Sequence, residues 1–389
     1  MANATMKRYL SLDALRGITV AFMCIVNNPG SWGCIFPPLR HAAWTGCTPT
    51  DLVYPFFIFC MGVAMAFSFS RFDGLDKAAL IKIFKRGLGL FLVGLLLNMY
   101  PFFPLHPHDE AASFGQNWLY WLGHIRIFGV LQRIAVAYML SAVIAMWLRK
   151  PGRILAAIGV LFVLYTGILL LFGSEPGAFT LEGNISRKID IALVGENHVY
   201  HGYRFADGSR APFDPEGLLG GLTAACTALL GSLIGGVIQR SSARHAADPS
   251  DNTSAPAYTV SRILVYGLAS LALAEILSIW IPISKPLWSA SYVLYAGGWA
   301  MLALGFLAFI IDVKGCVKPF EPFRAMGSNA LVAFVASGLL AKTFPMIGFA
   351  PSDYFGANEY TSLLWALIFA FLIFCIQWPL YRKKIIIKL

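Results

Sequence analysis

The chain has 389 residues, 58% of them hydrophobic and 13% charged, with a mean hydropathy of +0.67 and a formal net charge of +10. A soluble domain holds about 25% charged and about 45–50% apolar residues, and here the apolar residues come in long blocks rather than at amphipathic spacing. These figures exclude a disordered chain, a coiled coil and a small disulfide scaffold, and they predict an all-α polytopic membrane protein.

A spanning helix needs roughly 20 apolar residues. Ten are expected, at about 11–27, 51–70, 86–103, 125–148, 153–172, 217–238, 263–281, 288–311, 325–343 and 361–380. The first follows Lys7-Arg8 and contains Asp13 and Arg16, three apart and so on one helix face. That pair is either self-neutralising near the cytoplasmic interface or an anion site entered from the cytosol. With those charges and no small-x-small cleavage pattern after it, this segment reads as a mature helix rather than a signal peptide.

The first span ends in Val26-Asn27-Asn28-Pro29-Gly30. A loop carrying Arg40-His41-Ala42-Ala43-Trp44 leads to Thr48-Pro49-Thr50-Asp51-Leu52, which opens the second span. Thr50 or Asp51 would serve as an N-cap. The hairpin also brings Asn27, His41 and Asp51 to one membrane depth. An imidazole, a carboxylate to orient it and an amide to bind an oxyanion form a usable acyl-transfer set.

The fourth span holds Gln132-Arg133 deep in an apolar helix, below Arg126 at its outer end, where an ionisable group is costly without a partner or a cavity. The external segment at about 173–216 is long enough for a small cap or lid. Asp214-Pro215-Glu216 either caps the sixth span or holds the hydroxyls of a ligand. The polar stretch 241–258 reads as a cytoplasmic linker between a first half, 1–240, and a second half, 259–389, of a single domain spanning 1–389.

Threaded alternately, the spans place both termini in the cytoplasm and about 20 of the 30 Lys/Arg on that side. The positive excess is therefore topological, and no nucleic-acid partner is expected. His106 with His108, and His198 with His201, lack a third ligand nearby, so no metal is expected. Cys34 and Cys47 flank His41, and their separation permits a disulfide. Arg16 and Asn27 are eleven residues apart on one helix, ~16 Å along its axis. That resembles the reach of an extended pantetheine arm, so a coenzyme A held by its phosphates near the cytoplasmic face could present a thioester near His41.

The stretch from Ser11 to Met65, together with GVLQRIAVAY at 129–138, FDPEGLLGGL at 213–222, KPLWSASYVLYAGGW at 285–299 and MGSNALVAF at 326–334, resembles the heparan-α-glucosaminide N-acetyltransferase family, its bacterial members most closely. The resemblance implies a transmembrane enzyme that takes acetyl from cytosolic acetyl-CoA, as co-substrate, to the amine of a glucosamine-type sugar on the far side. It implies His41, Asn27 and Asp51 as catalytic residues. Arg16, Arg133, Gln132, Arg86 and Asn329 are the candidates to hold the coenzyme, and Trp44, Asp214 and Glu216 the candidates to hold the sugar. A bacterial inner-membrane location, contact with membrane lipid and a homodimer follow from the same resemblance. The family's animal members add a long lumenal N-terminal domain, whereas this chain begins almost directly at the first span. A free amino sugar or a cell-wall fragment is therefore expected rather than heparan sulfate. His41 acts either as general base or through an acetyl-histidine. A membrane O-acyltransferase of a surface polysaccharide and a secondary sugar transporter remain as alternatives.

Overall fold

The computed structural model describes residues 9–70, 72, 74–105, 107–251, 253 and 255–387. Lys7-Arg8 and His106 lie outside them. Apolar runs of this length satisfy their backbone in lipid by closing every hydrogen bond within one helix, and the described residues are accordingly mostly helical. In chain order they form α1 (Leu10–Asn27), α2 (Pro49–Phe69), α3 (Lys77–Met99), α4 (Phe114–Leu122), α5 (Val130–Leu148), α6 (Pro151–Phe172) and α7 (Ile185–Val194). A two-stranded hairpin, β1 (Tyr203–Arg204) and β2 (Arg210–Ala211), precedes α8 (Gly221–Ala247) and α9 (Pro256–Ser278). Then come α10 (Ala290–Ala308), α11 (Glu321–Ser328), α12 (Ala330–Met346), α13 (Pro351–Phe355) and α14 (Glu359–Arg382).

Each of the ten expected spans falls on a helix. By length and composition, eight described helices are apolar enough to cross a membrane, or nine if α11 and α12 count as one. The protein is an all-α integral membrane protein. Two expected spans differ in shape. The third begins at Lys77 rather than 86, because the Asp76 carboxylate caps the helix by accepting the Ala79 N–H at 2.7 Å. Its first half therefore carries Lys82, Lys85 and Arg86, which keeps it out of the eight. The ninth is not one straight rod, since the chain bends by 70° between α11 and α12 at Asn329. Much of the expected linker is helical as well. Residues 241–247 continue α8, and Pro256 opens α9 at a position where its missing N–H costs nothing.

The core lies where α2, α5, α8 and α10 meet, and it is built around Tyr54, Trp288 and Tyr292, whose rings pack edge to face. α2 and α8 approach so closely that a Cβ added at Gly62 would stand 2.0 Å from the Ala228 carbonyl oxygen. α6 and α9 keep long apolar faces outward, such as Val163 and Val265, as a lipid-facing helix does.

On the opposite end from the α2 C-terminus, α7 and the hairpin form a cap tied down by buried polar contacts. Asp190 on α7 is buried, and its Oδ1 accepts the Leu218 N–H at 2.9 Å, while its Oδ2 is without a hydrogen bond among the described residues. Burial raises its pKa from 3.8 to about 7. The folded chain thus keeps a proton that the unfolded chain releases, so stability that is fully present below pH 3.8 is lost as pH rises through about 7. Asp190→Asn keeps the Leu218 bond and is expected to raise Tm by several degrees at pH 8 with little change at pH 4. Thermal unfolding in detergent at the two pH values reads this, and an equal shift at both would contradict it.

Candidate active site

A cavity of about 340 Å³ runs lengthwise between α1, α2, α3, α5 and the start of α12. Its walls follow α1 from Arg16 to Asn27 and α2 back from Thr50 to Ala64. Arg16 and Arg86 stand at one end, with Asn27, His41, Glu216 and Lys285 at the other. The stretch between them is mostly apolar, with Val53, Tyr54, Phe57 and Leu90 on its walls.

The hairpin explains the His41 end. Asp51 sits in the first turn of α2, where a carboxylate meets free backbone N–H groups. Its Oδ2 accepts from the Thr48 N–H at 3.1 Å and the Ala42 N–H at 3.0 Å, which folds the loop back over the helix start. The other oxygen, Oδ1, lies 2.7 Å from His41 Nδ1. The capping carboxylate and the orienting carboxylate are thus the same group, at 1% exposure, while the His41 side chain remains 44% exposed at the cavity mouth. Nδ1 on the carboxylate leaves Nε2 free for chemistry. Asn27, the last residue of α1, lines the same end.

The second half of the chain completes the site. The segment between α9 and α10 is laced to the His41 loop: the Gly46 N–H donates to the Ile283 carbonyl at 2.7 Å, and the Ser284 hydroxyl to the Trp44 carbonyl at 2.8 Å. The Tyr292 hydroxyl donates to the Asp51 carbonyl at 2.6 Å. This places Lys285 Nζ 3.4 Å from Asp51 Oδ1 and 3.1 Å from His41 Nδ1. Lys285 is absent from the residues expected from sequence, although it opens the KPLWSASYVLYAGGW block that was noticed there.

Among the sugar candidates, only Glu216 lines the cavity. Asp214 is buried, taking a bidentate bond from Arg126, at 2.9 Å and 2.6 Å, and further bonds from the Tyr200 and Glu216 N–H groups. Arg126 also pairs with Glu216 and lies over the Tyr200 ring. These carboxylates hold the guanidinium well above its usual range against the cost of burial. Trp44 donates to the Phe179 carbonyl and packs on Tyr203 and Phe213 of the cap, away from the cavity wall.

Among the coenzyme candidates, Arg16 and Arg86 line the cavity. Arg16 lies 3.6 Å from Asp13, and Arg86 stacks over Tyr138. Arg133 is buried, donating to the Gly217 carbonyl at 2.8 Å and lying over the Trp288 ring. Gln132 packs against Gly94 of α3, and Asn329 bonds the Ile385 carbonyl and the Ile387 N–H of the C-terminal segment. None of these three lines the cavity. Cys34 and Cys47 are free thiols, donating to the Gly356 and Thr48 carbonyls. Burial pushes the Cys47 thiol up to about 12, which removes it as a nucleophile beside His41. His198 Nδ1 bonds the Ile125 carbonyl. No group of three His, Cys, Asp or Glu among the described residues could hold a metal ion.

The family model for heparan-alpha-glucosaminide N-acetyltransferase, catalytic, matches residues 8–180. This segment is similar to that family's catalytic region. The expected family resemblance is thereby established, and it extends past the matched segment. The human heparan-alpha-glucosaminide N-acetyltransferase is 28% identical to this chain and the mouse protein 26%, each over 100% of the chain. The chain spans 61% of the length of these two curated relatives. α1, α2 and the His41 hairpin fall inside residues 8–180, while Glu216 and Lys285 fall outside.

Proposed function

We propose that this protein is a transmembrane N-acetyltransferase that moves acetyl from acetyl-CoA to the amine of a glucosamine-type sugar, and that the two substrates enter from opposite sides. One observation carries this reading: a single cavity has arginines at one end and an imidazole with its carboxylate at the other. The relatives' names supply the transferred acetyl group and the glucosaminide class of acceptor. Arg16 and Arg86 suit phosphate oxygens, and the mostly apolar stretch beyond them suits a pantetheine arm.

In this reading His41 Nε2 takes a proton from the sugar amine as the nitrogen attacks the thioester carbon. The N–C bond forms, and Asn27 donates to the oxygen as it gains charge. The C–S bond then breaks, and the His41 proton passes to the departing thiolate. Glu216 offers a carboxylate to the incoming sugar at the same mouth, held by Arg126.

The test is purified protein in proteoliposomes with radiolabelled acetyl-CoA on one side and glucosamine on the other. N-acetylglucosamine as product supports the reading. An alkali-labile O-acetyl ester overturns it in favour of an O-acyltransferase, and sugar movement without acetyl-CoA consumption overturns it in favour of a carrier. Arg16→Gln is expected to raise KM for acetyl-CoA by about 10- to 100-fold, the worth of one charge-assisted hydrogen bond, with kcat little changed. An unchanged KM would remove Arg16 from the coenzyme site.

A further inference from the structure

We infer that Lys285 is a positioning residue that keeps His41 free to accept a proton, by neutralising Asp51 from a distant part of the chain. The inference rests on the acetyltransfer reading for its catalytic consequence, but the coupling itself is a matter of three charges. An aspartate behind a histidine orients the ring, and it also rewards the ring for becoming a cation. A base that is already protonated cannot accept the amine proton.

Lys285 offsets that reward. Asp51 Oδ1 is shared between His41 Nδ1 at 2.7 Å and the Lys285 ammonium at 3.4 Å. With the Nδ1 proton directed at the carboxylate, the ammonium cannot donate to the same nitrogen. It therefore pairs with Asp51 and places a fixed positive charge 3.1 Å from the ring. One carboxylate then faces one fixed cation, and a second positive charge on the imidazole gains little. The other titratable or charged groups around the His41–Asp51 pair are Glu216 from the segment before α8, backed by Arg126, the Cys47 thiol on the loop, Tyr54 of α2, Tyr203 of β1 and Tyr292 of α10.

The placement is specific. Lys285 is 244 residues from His41, and its segment is held by the Gly46–Ile283 and Ser284–Trp44 bonds and by Ser289, which caps α10 by accepting the Tyr292 N–H. Asp51 is fixed independently by Thr48 and Ala42. Removing the lysine amine therefore leaves the carboxylate and the ring in place and changes their charge balance.

The test measures the titration of His41 without relying on activity. Wild type, Lys285→Met, Lys285→Gln and Lys285→Arg in detergent are treated with diethyl pyrocarbonate from pH 5 to 8. Peptide mass spectrometry then reads the labelling rate at His41. In the Met and Gln variants the midpoint of the labelling profile should rise by about one pH unit or more, and Arg should restore it. In the transfer assay the two neutral variants should lose about tenfold or more in kcat at pH 6. That loss should narrow above pH 8, with KM for acetyl-CoA unchanged. A midpoint that does not move in either neutral variant overturns the inference, and so does a wild-type kcat at pH 6. A shifted midpoint in a protein that transfers no acetyl supports the coupling and overturns the proposed activity instead.

Discussion

His41→Ala is expected to lower kcat for acetyl transfer by about 10²–10⁴-fold, the range a positioned general base contributes. KM for acetyl-CoA should stay near the wild-type value. The reason is geometric: the arginines lie toward the far end of the cavity, eleven residues of α1 from its His41 end, and the alanine disturbs nothing there. Asp51→Asn probes a different quantity, because Asp51 both orients the ring and closes the loop through Thr48 and Ala42. It should reduce kcat and also lower Tm, whereas His41→Ala, at an exposed side chain, should leave Tm alone. The two chemical routes separate when wild type is incubated with labelled acetyl-CoA and no sugar. Label trapped on His41 shows an acetyl-enzyme, and its absence with full turnover shows direct transfer. Full turnover in His41→Ala would remove the histidine from the mechanism.

The parts of this site that could be read in the sequence are those joined by short loops. His41 and Asp51 are ten residues apart across one hairpin, and Asn27 ends the helix that enters it, so local geometry alone brings them together. Each of the ten segments marked by hydropathy falls on a helix, because backbone satisfaction in lipid leaves few other structures. What hydropathy missed were features set by single polar groups: the Asp76 cap that starts α3 early and the bend at Asn329. The intramembrane charges show the same limit. Arg133 stood out as a buried charge in an apolar helix; in the fold one of its nitrogens donates to the Gly217 carbonyl and the guanidinium lies over the Trp288 ring, while its Nε and Nη1 find no hydrogen bond among the described residues. Asp214 stood out as a ligand for a sugar, and Arg126 uses both of its oxygens. Lys285 carried no local signal, because its meaning depends on a contact between the two halves of the chain. Only the block in which it lies marked the segment.

Gly17→Ala is expected to be among the most destabilising single-methyl additions in the protein, although it improves helix propensity. A Cβ at Gly17 would stand 1.6 Å from the Phe323 carbonyl oxygen and 2.9 Å from the Gly327 nitrogen, and a Cβ at Gly327 would stand 2.0 Å from the Asp13 carbonyl oxygen. The obstacles are backbone atoms on both helices, so no side-chain rotation relieves them, and α1 must move away from α11. Overpacking of this kind costs about 1–3 kcal/mol and occasionally more, and Tm in detergent should fall by several degrees. Gly159→Ala is the control. It lies in the lipid-facing helix α6 with nothing within 4 Å of the added carbon, and it should be neutral or stabilising by up to about 1 kcal/mol. The consequence for function follows from what α1 carries. Arg16 neighbours Gly17 and Asn27 ends the same helix, so one displacement shifts both ends of the cavity together. Gly17→Ala should therefore raise KM for acetyl-CoA and lower kcat at once, whereas Arg16→Gln changes KM alone. If Gly17→Ala matches Gly159→Ala in Tm, α1 and α11 do not pack backbone to backbone. If it lowers Tm but leaves both kinetic constants unchanged, the position of α1 does not govern the cavity.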